Sequence, residues 1–183
     1  QYNEDMNIVL FGDSHLGRFG KRFIDQLEGL IDNSIVYNCA AGGFTSNDGV
    51  RRVDYIARLK PDVVIFSFGG NDVSPWKEVV AESVFLSNMR RIFEAFPDSS
   101  KLLFTSPDVA VANQDQANIY NNSIHTYREA LEPICEELGV LIVDGNDTVR
   151  DLQGDYHEDD GVHMNKNAYR NLVNQLAKTI TLF

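Results

Sequence analysis

Four short stretches of this sequence set chemically capable side chains beside glycines: Gly12-Asp13-Ser14-His15-Leu16-Gly17, Gly42-Gly43, Gly69-Gly70-Asn71-Asp72 and Asp160-Gly161-Val162-His163. In the last, an Asp three residues before a His, with Gly between them, can fold back to accept the imidazole Nδ1–H. Nε2 is then free to take a proton, as a general base requires. The two glycines before Asn71 let the backbone run close to a ligand, where the Asn amide can donate. Gly42-Gly43 can expose a backbone N–H in the same crevice. Each fragment also has a plain reading. Ser is a preferred N-cap, Gly, Asn and Asp are turn formers, and Glu158-Asp159-Asp160 can be a solvated acidic loop with an incidental His. Together they are the parts for acyl transfer through a serine nucleophile.

Other chemistries find less support. Gly12 and Gly17 have the G-x-x-x-x-G spacing of a phosphate loop, but Arg18 and Phe19 stand where that motif needs Lys and a hydroxyl. No G-x-S-x-G elbow exists, because position 16 is Leu. His157, Glu158, Asp159, Asp160 and His163 are all metal-ligand types, yet no spacing sets two of them on one helical face. Cys39 and Cys135 read as free buried thiols, since no His is placed to activate either. Neither a cofactor nor a metal is expected. His157 competes with His163 for the role of base, since Asp160 could brace either. His15 adjoins Ser14 and reads equally as pocket or surface, while His125, near Tyr120 and Tyr127, reads as structural. Asp13 and Asp72 are expected to brace loops through backbone N–H groups.

The surrounding pattern shows what must hold these residues in place. Strands are predicted at Asn7–Phe11, Ser34–Asn38, Asp62–Phe68, Lys101–Thr105 and Val140–Val143. The third carries the unbroken apolar run Val63–Phe66, as a strand covered on both faces should. Between them fall helices from about His15 to Leu30, through Val50, Val53 and Ala57 to a stop before Pro61, from Val79 to Phe96, and from Gln114 to Leu138, broken or kinked at Pro133. A polar loop covers Asp144–Val162, and a last helix runs from Asn165 to about Ile180. Strands alternating with helices imply parallel strands joined by right-handed crossovers, with helices on both faces. Such α/β sheets gather ligands beyond the carboxyl ends of their strands, where these stretches fall.

With 183 residues and no internal repeat or linker, the chain reads as a single domain over 1–183. The net charge of −11 disfavours nucleic acid and anionic substrates, and so favours neutral esters. The longest apolar runs, such as Val63–Phe66, fall far short of the ~18 residues of a membrane span. The chain opens on Gln1 rather than Met, so a processed form, a trimmed one or an excised domain is expected. A leader could already have been removed, which leaves a cytoplasmic or secreted location open. Oligomeric state is not readable.

At these residues the chain resembles the SGNH hydrolases, also called the GDSL-like esterases and lipases. Gly12-Asp13-Ser14 matches the first block, Gly43-Phe44-Thr45-Ser46 resembles the second, Gly69-Gly70-Asn71-Asp72 matches the third, and Asp160-Gly161-Val162-His163 matches the fifth. The matches keep the family's order from Gly12 to His163. His15 departs from the usual Leu, and Ala168 stands where Gly often precedes Tyr169. The resemblance implies a three-layer α/β/α sandwich on a five-stranded, flavodoxin-like parallel sheet. It also implies a catalytic triad of Ser14, His163 and Asp160, an oxyanion hole from Ser14, Gly43 and Asn71, and His163 rather than His157 as base. The expected reaction is hydrolysis of a short-acyl carboxylic ester, with O-acetyl groups on a carbohydrate as one substrate. No lid segment is visible. Alternatives are a thioesterase or lysophospholipase on the same fold, or a noncatalytic ligand-binding domain.

Overall fold

A computed structural model describes residues 4–183. Its centre is a parallel sheet of β1 (Met6–Gly12), β2 (Ser34–Asn38), β3 (Val63–Ser67), β4 (Ser100–Thr105) and β5 (Val140–Asp144), in the order β2-β1-β3-β4-β5. The chain leaves β1 for β2 on one side and then returns to β3 on the other. The switch in direction therefore falls between β1 and β3, the crevice where such sheets take ligands.

Alternate residues of one strand feed opposite layers, which explains the unbroken apolar runs. Ile8 and Leu10 of β1, with Val63 and Ile65 of β3, enter a core shared with α2 (Lys21–Leu30) and α7 (Lys166–Ile180). Val9 and Phe11, with Val64 and Phe66, enter the core of α3 (Ser46–Ala57), α4 (Glu82–Glu94) and α5 (Gln114–Leu138). All eight strand residues are nearly or fully buried. Each such side chain contributes about 1.5–3 kcal/mol relative to exposure. The three-layer α/β/α expectation holds, as do all five strands to within two residues at each end.

Four expected elements differ. The long helix over His15–Leu30 is two: α1 (Ser14–Gly17) stops, Gly20 is extended with ψ 178°, and α2 starts afresh. Phe19, between them, is fully buried, and the Asn38 side-chain amide bonds the Leu16 and Phe19 carbonyls across the break at 2.8 and 3.1 Å. The helix expected from Val79 begins only at Glu82 and ends at Glu94, so residues 71–81 form a loop over the sheet's carboxyl end. Pro133 does not interrupt α5, because Leu131 and Cys135 on either side are locked into the core. The polar 144–162 segment contains a short α6 (Gly145–Val149), capped by the Asp144 side chain. The apolar run of β5 is also only half covered: this edge strand leaves Leu141 and Ile142 partly exposed.

Gly12 ends β1 against β3. A Cβ there would sit 2.2 Å from the Ser67 carbonyl oxygen, and backbone cannot give way as a side-chain tip can. Gly12→Ala is therefore expected to lower stability by at least about 1–3 kcal/mol, read as a fall in thermal midpoint. An unchanged midpoint would count against this close approach.

Candidate active site

The strand ends bring the predicted residues into one cleft of about 560 Å³, whose walls include Ser14, Gly43, Asn71, Asp160 and His163. Ser14 opens α1 directly beyond β1. Its expected capping role belongs to Asp13 instead, whose Oδ1 accepts the His15 N–H at 3.0 Å and frees the Ser14 hydroxyl for other partners. That hydroxyl lies 2.8 Å from His163 Nε2. On the other side of the ring, Nδ1 lies 2.5 Å from Asp160 Oδ2. An ionised carboxylate only accepts, so Nδ1 carries the proton and Nε2 accepts from Ser14 Oγ–H.

Asp160 is shaped for this task. Its Oδ1 accepts the backbone N–H groups of Val162 and His163, each at 2.9 Å. Burial alone would raise its carboxyl. The hydrogen bonds from the His163 ring and from the His163 and Val162 backbone outweigh that and hold it well below the usual carboxylate range. Gly161 makes the turn at φ +67°, with its N–H on the Glu158 carbonyl at 3.0 Å.

Gly43 lies in the loop after β2 at φ +79°. This loop abuts the serine: a Cβ on neighbouring Gly42 would stand 3.9 Å from Ser14 Cβ. Asn71 follows β3. One N–H of its Nδ2 donates to the Phe44 carbonyl at 2.9 Å, which leaves the second for the cleft. Its Oδ1 accepts from Lys77 Nζ at 3.1 Å.

The bracing carboxylates behave as expected. Asp72 is fully buried and accepts the Ser46 N–H at 3.0 Å and the Ser46 hydroxyl at 2.5 Å. Burial pushes its carboxyl up, against the pull of those bonds. The anchored end of α3 is further fixed by a reciprocal Thr45–Asp48 capping box. The other histidines go elsewhere. His157 is buried with Nε2 donating to the Asp108 carbonyl at 2.7 Å, and His125 Nε2 meets the Asp108 side chain at 2.7 Å. His15 is buried in the cleft wall rather than on the surface, with its ring centre 5.4 Å from that of His163. Cys135 is buried, its thiol pushed up to about 12 by that burial, whereas Cys39 is only half-buried. Sequence patterns did not single out Arg18, Trp76, Lys77 or Tyr120 as cleft residues. Lys77 sits in the loop before α4, where periodicity carries no signal.

A model of the GDSL-like lipase/acylhydrolase family matches residues 10–170. The chain belongs to that family. A GDSL esterase/lipase of Arabidopsis thaliana, CPRD49, is 28% identical over 123 aligned residues, covering 56% of this chain and 48% of that protein. The chain thus spans about half the length of the curated relative it matches. Among solved structures, the lipase/acylhydrolase of Enterococcus faecalis superposes with a TM-score of 0.77 at 23% identity, over 95% of this chain and 94% of that one. Axe2, an acetylxylan esterase from Geobacillus stearothermophilus, gives 0.78 at 20% identity, over 97% and 94%. These two likenesses establish the shared fold of this family member. Among the described residues, no three His, Cys, Asp or Glu side chains converge as metal ligands, and no helix is long and apolar enough to cross a membrane.

The depressed Asp160 carboxyl makes a stability prediction. Its folded value lies below its unfolded one, so its contribution is complete above about pH 4 and is lost as pH falls through the folded value. Asp160→Asn is expected to be less stable than the parent at neutral pH by about 1 kcal/mol, the scale left to a partly exposed pair. The gap should narrow steadily in urea melts as pH falls below about 4. A gap independent of pH would argue against this pairing.

Proposed function

We propose that this chain, as one domain, hydrolyses short-acyl carboxylic esters, including O-acetyl groups on carbohydrates, through an acyl-enzyme on Ser14. The observation that carries the reading is the unbroken relay from Ser14 Oγ to His163 Nε2 at 2.8 Å and from His163 Nδ1 to Asp160 at 2.5 Å. In this scheme the Ser14 oxygen attacks the ester carbonyl carbon as His163 Nε2 takes its proton. Asp160 holds the tautomer and stabilises the imidazolium. The carbonyl oxygen gains the negative charge and meets the Ser14 and Gly43 N–H groups and the free Asn71 N–H. Collapse breaks the bond to the alcohol, which leaves with the proton from His163. Water then attacks the acyl carbon with His163 again as base, and the acid departs as Ser14 recovers its proton.

Several features support the substrate class. The cleft is open at one side and of a size suited to a small ligand. At its rim Trp76 is half exposed, and its indole leans on Tyr120 with ring centres 5.9 Å apart. A supported flat apolar face of this kind suits one side of a sugar ring. The fold likeness to an acetylxylan esterase points the same way.

Hydrolysis of p-nitrophenyl acetate, butyrate and octanoate tests nucleophile and acyl length together. Rates should fall from acetate to octanoate, Ser14→Ala should abolish turnover, and a chelator should leave it unchanged. Asn71→Ala is expected to lower kcat by roughly 10²–10³. Full activity in Ser14→Ala would overturn the mechanism, and a preference for octanoate would overturn the acyl assignment.

The two histidines near Asp160 separate by the same assay. His163→Ala should be inactive, whereas His157→Ala should retain the reaction at reduced stability, having lost a buried bond to the Asp108 carbonyl worth about 1 kcal/mol.

A further inference from the structure

We infer that Lys77 is a positioning residue of the oxyanion hole: its ammonium holds the Asn71 amide and the Gly43 loop in their donating arrangement. The inference rests on the serine-esterase reading above. Lys77 Nζ lies 3.1 Å from Asn71 Oδ1 and 3.4 Å from the Gly43 carbonyl oxygen. One cation thus touches residues from two different strand exits, the loop after β2 and the loop after β3.

Its effect on Asn71 is directional. An amide can sit in either of two orientations related by a half-turn. Here Oδ1 faces an ammonium that only donates, and Nδ2 faces the Phe44 carbonyl, which only accepts. A flip would set donor against donor and acceptor against acceptor. The second Nδ2–H is thereby kept pointing into the cleft. A bond from a charged donor to Oδ1 also draws electron density toward the oxygen, which makes the N–H a stronger donor.

The charge has a second use. Asp13, Asp72 and Asp160 gather carboxylates around this end of the sheet, a field that opposes an oxyanion. Among the described residues, Lys77 has no carboxylate within ion-pair distance, so its charge is not neutralised locally. The loop that carries it is closed, since Val80 N–H donates to the Asp72 carbonyl at 2.8 Å and Lys77 N–H to the Ser74 carbonyl at 3.2 Å. The Tyr127 hydroxyl holds the far end through the Val80 carbonyl at 2.7 Å.

The test uses the purified full chain and p-nitrophenyl acetate, a neutral substrate with which an ammonium has no ion pair to make. Lys77→Met should lower kcat about tenfold, less than loss of a direct donor, with KM within about twofold. Lys77→Arg should recover most of the loss. In an Asn71→Ala background, Lys77→Met should lower kcat by no more than about threefold, because the amide it positions is gone and only its contact with the Gly43 loop and its charge remain. An unchanged kcat in Lys77→Met, or an equal tenfold fall in both backgrounds, overturns the inference. Thermal midpoints of all variants exclude misfolding as the cause, since Lys77 is exposed on a loop. If Ser14→Ala remains active, the serine reading itself falls. If Ser14→Ala is dead while Lys77→Met is normal, only the role of Lys77 falls.

Discussion

One hydrogen bond, from Ser14 to His163 at 2.8 Å, joins residues 149 positions apart, and the surrounding architecture can be read as the means of holding it. A bond of that length tolerates little relative movement of its two sides. The serine side is fixed by β1, buried on both faces, and by Asp13, whose N–H meets the Ser67 carbonyl at 2.9 Å. The imidazole side has no strand beneath it and is held by local bonds. Glu158 N–H donates to the His163 carbonyl at 2.7 Å, and Asn165 N–H to the Tyr156 carbonyl at 2.9 Å. This small hairpin is then tied to the exit of β4 through His157 on the Asp108 carbonyl and Ala110 on the Gly161 carbonyl. Gly161 is required twice, because its φ is positive and a Cβ would stand 2.4 Å from the Ala110 oxygen. Tyr169 adds a link from α7 to α1, its hydroxyl donating to the His15 carbonyl at 2.6 Å.

The acidic character of the chain sharpens the demands on the cleft. With a net charge of −11 and buried Asp13 and Asp72 behind the loops, the local field favours a cation and resists a new anion. Both buried carboxylates are spent on backbone or hydroxyl donors, so their charge is dispersed into the scaffold. The same field favours the imidazolium that proton transfer from Ser14 would create. It leaves oxyanion stabilisation to donors aimed at one point, because an unaimed cation would also attract water.

Much of this was legible in the sequence, for identifiable reasons. The runs Ile8–Phe11 and Val63–Phe66 could only be strands covered on both faces, and they are. The Asp160–His163 pair was readable because its geometry is local: three residues and one glycine decide it. The convergence of Ser14, Gly43 and Asn71 was readable through the rule that parallel strands present their exits on one side, together with the order of the family's blocks. Contacts that depend on loop paths were not readable. Lys77 lies six residues beyond Asn71 in a segment without periodicity, and its approach follows from closure of the 72–80 loop. The break after Gly17 was hidden because Phe19, Phe23 and Leu27 keep a helical spacing across it. The extended backbone at Gly20, which side-chain spacing does not report, is what separates α1 from α2.

That break changes where an oxyanion would find its stabilisation. A continuous helix from His15 to Leu30 would aim a sizeable dipole at the cleft. The α1 segment instead has four residues, too few for aligned peptide dipoles to accumulate much charge. In the proposed mechanism, individual N–H groups then carry the load, and they come from three separate chain segments. Neither the Ser14 nor the Gly43 N–H has a hydrogen-bond acceptor among the described residues. Asn71 keeps one amide hydrogen free after meeting Phe44. Donors fixed in advance require little rearrangement when charge develops, which is why a hole assembled from short loops can match a helix terminus in strength. The arrangement works only while those loops stay in register. The Asp72–Ser46 bonds, the Thr45–Asp48 cap and the Lys77 contacts all join the loop after β2 to the loop after β3 or stiffen one of them. Under the proposed mechanism, rigidity between these two loops is therefore the quantity on which turnover depends.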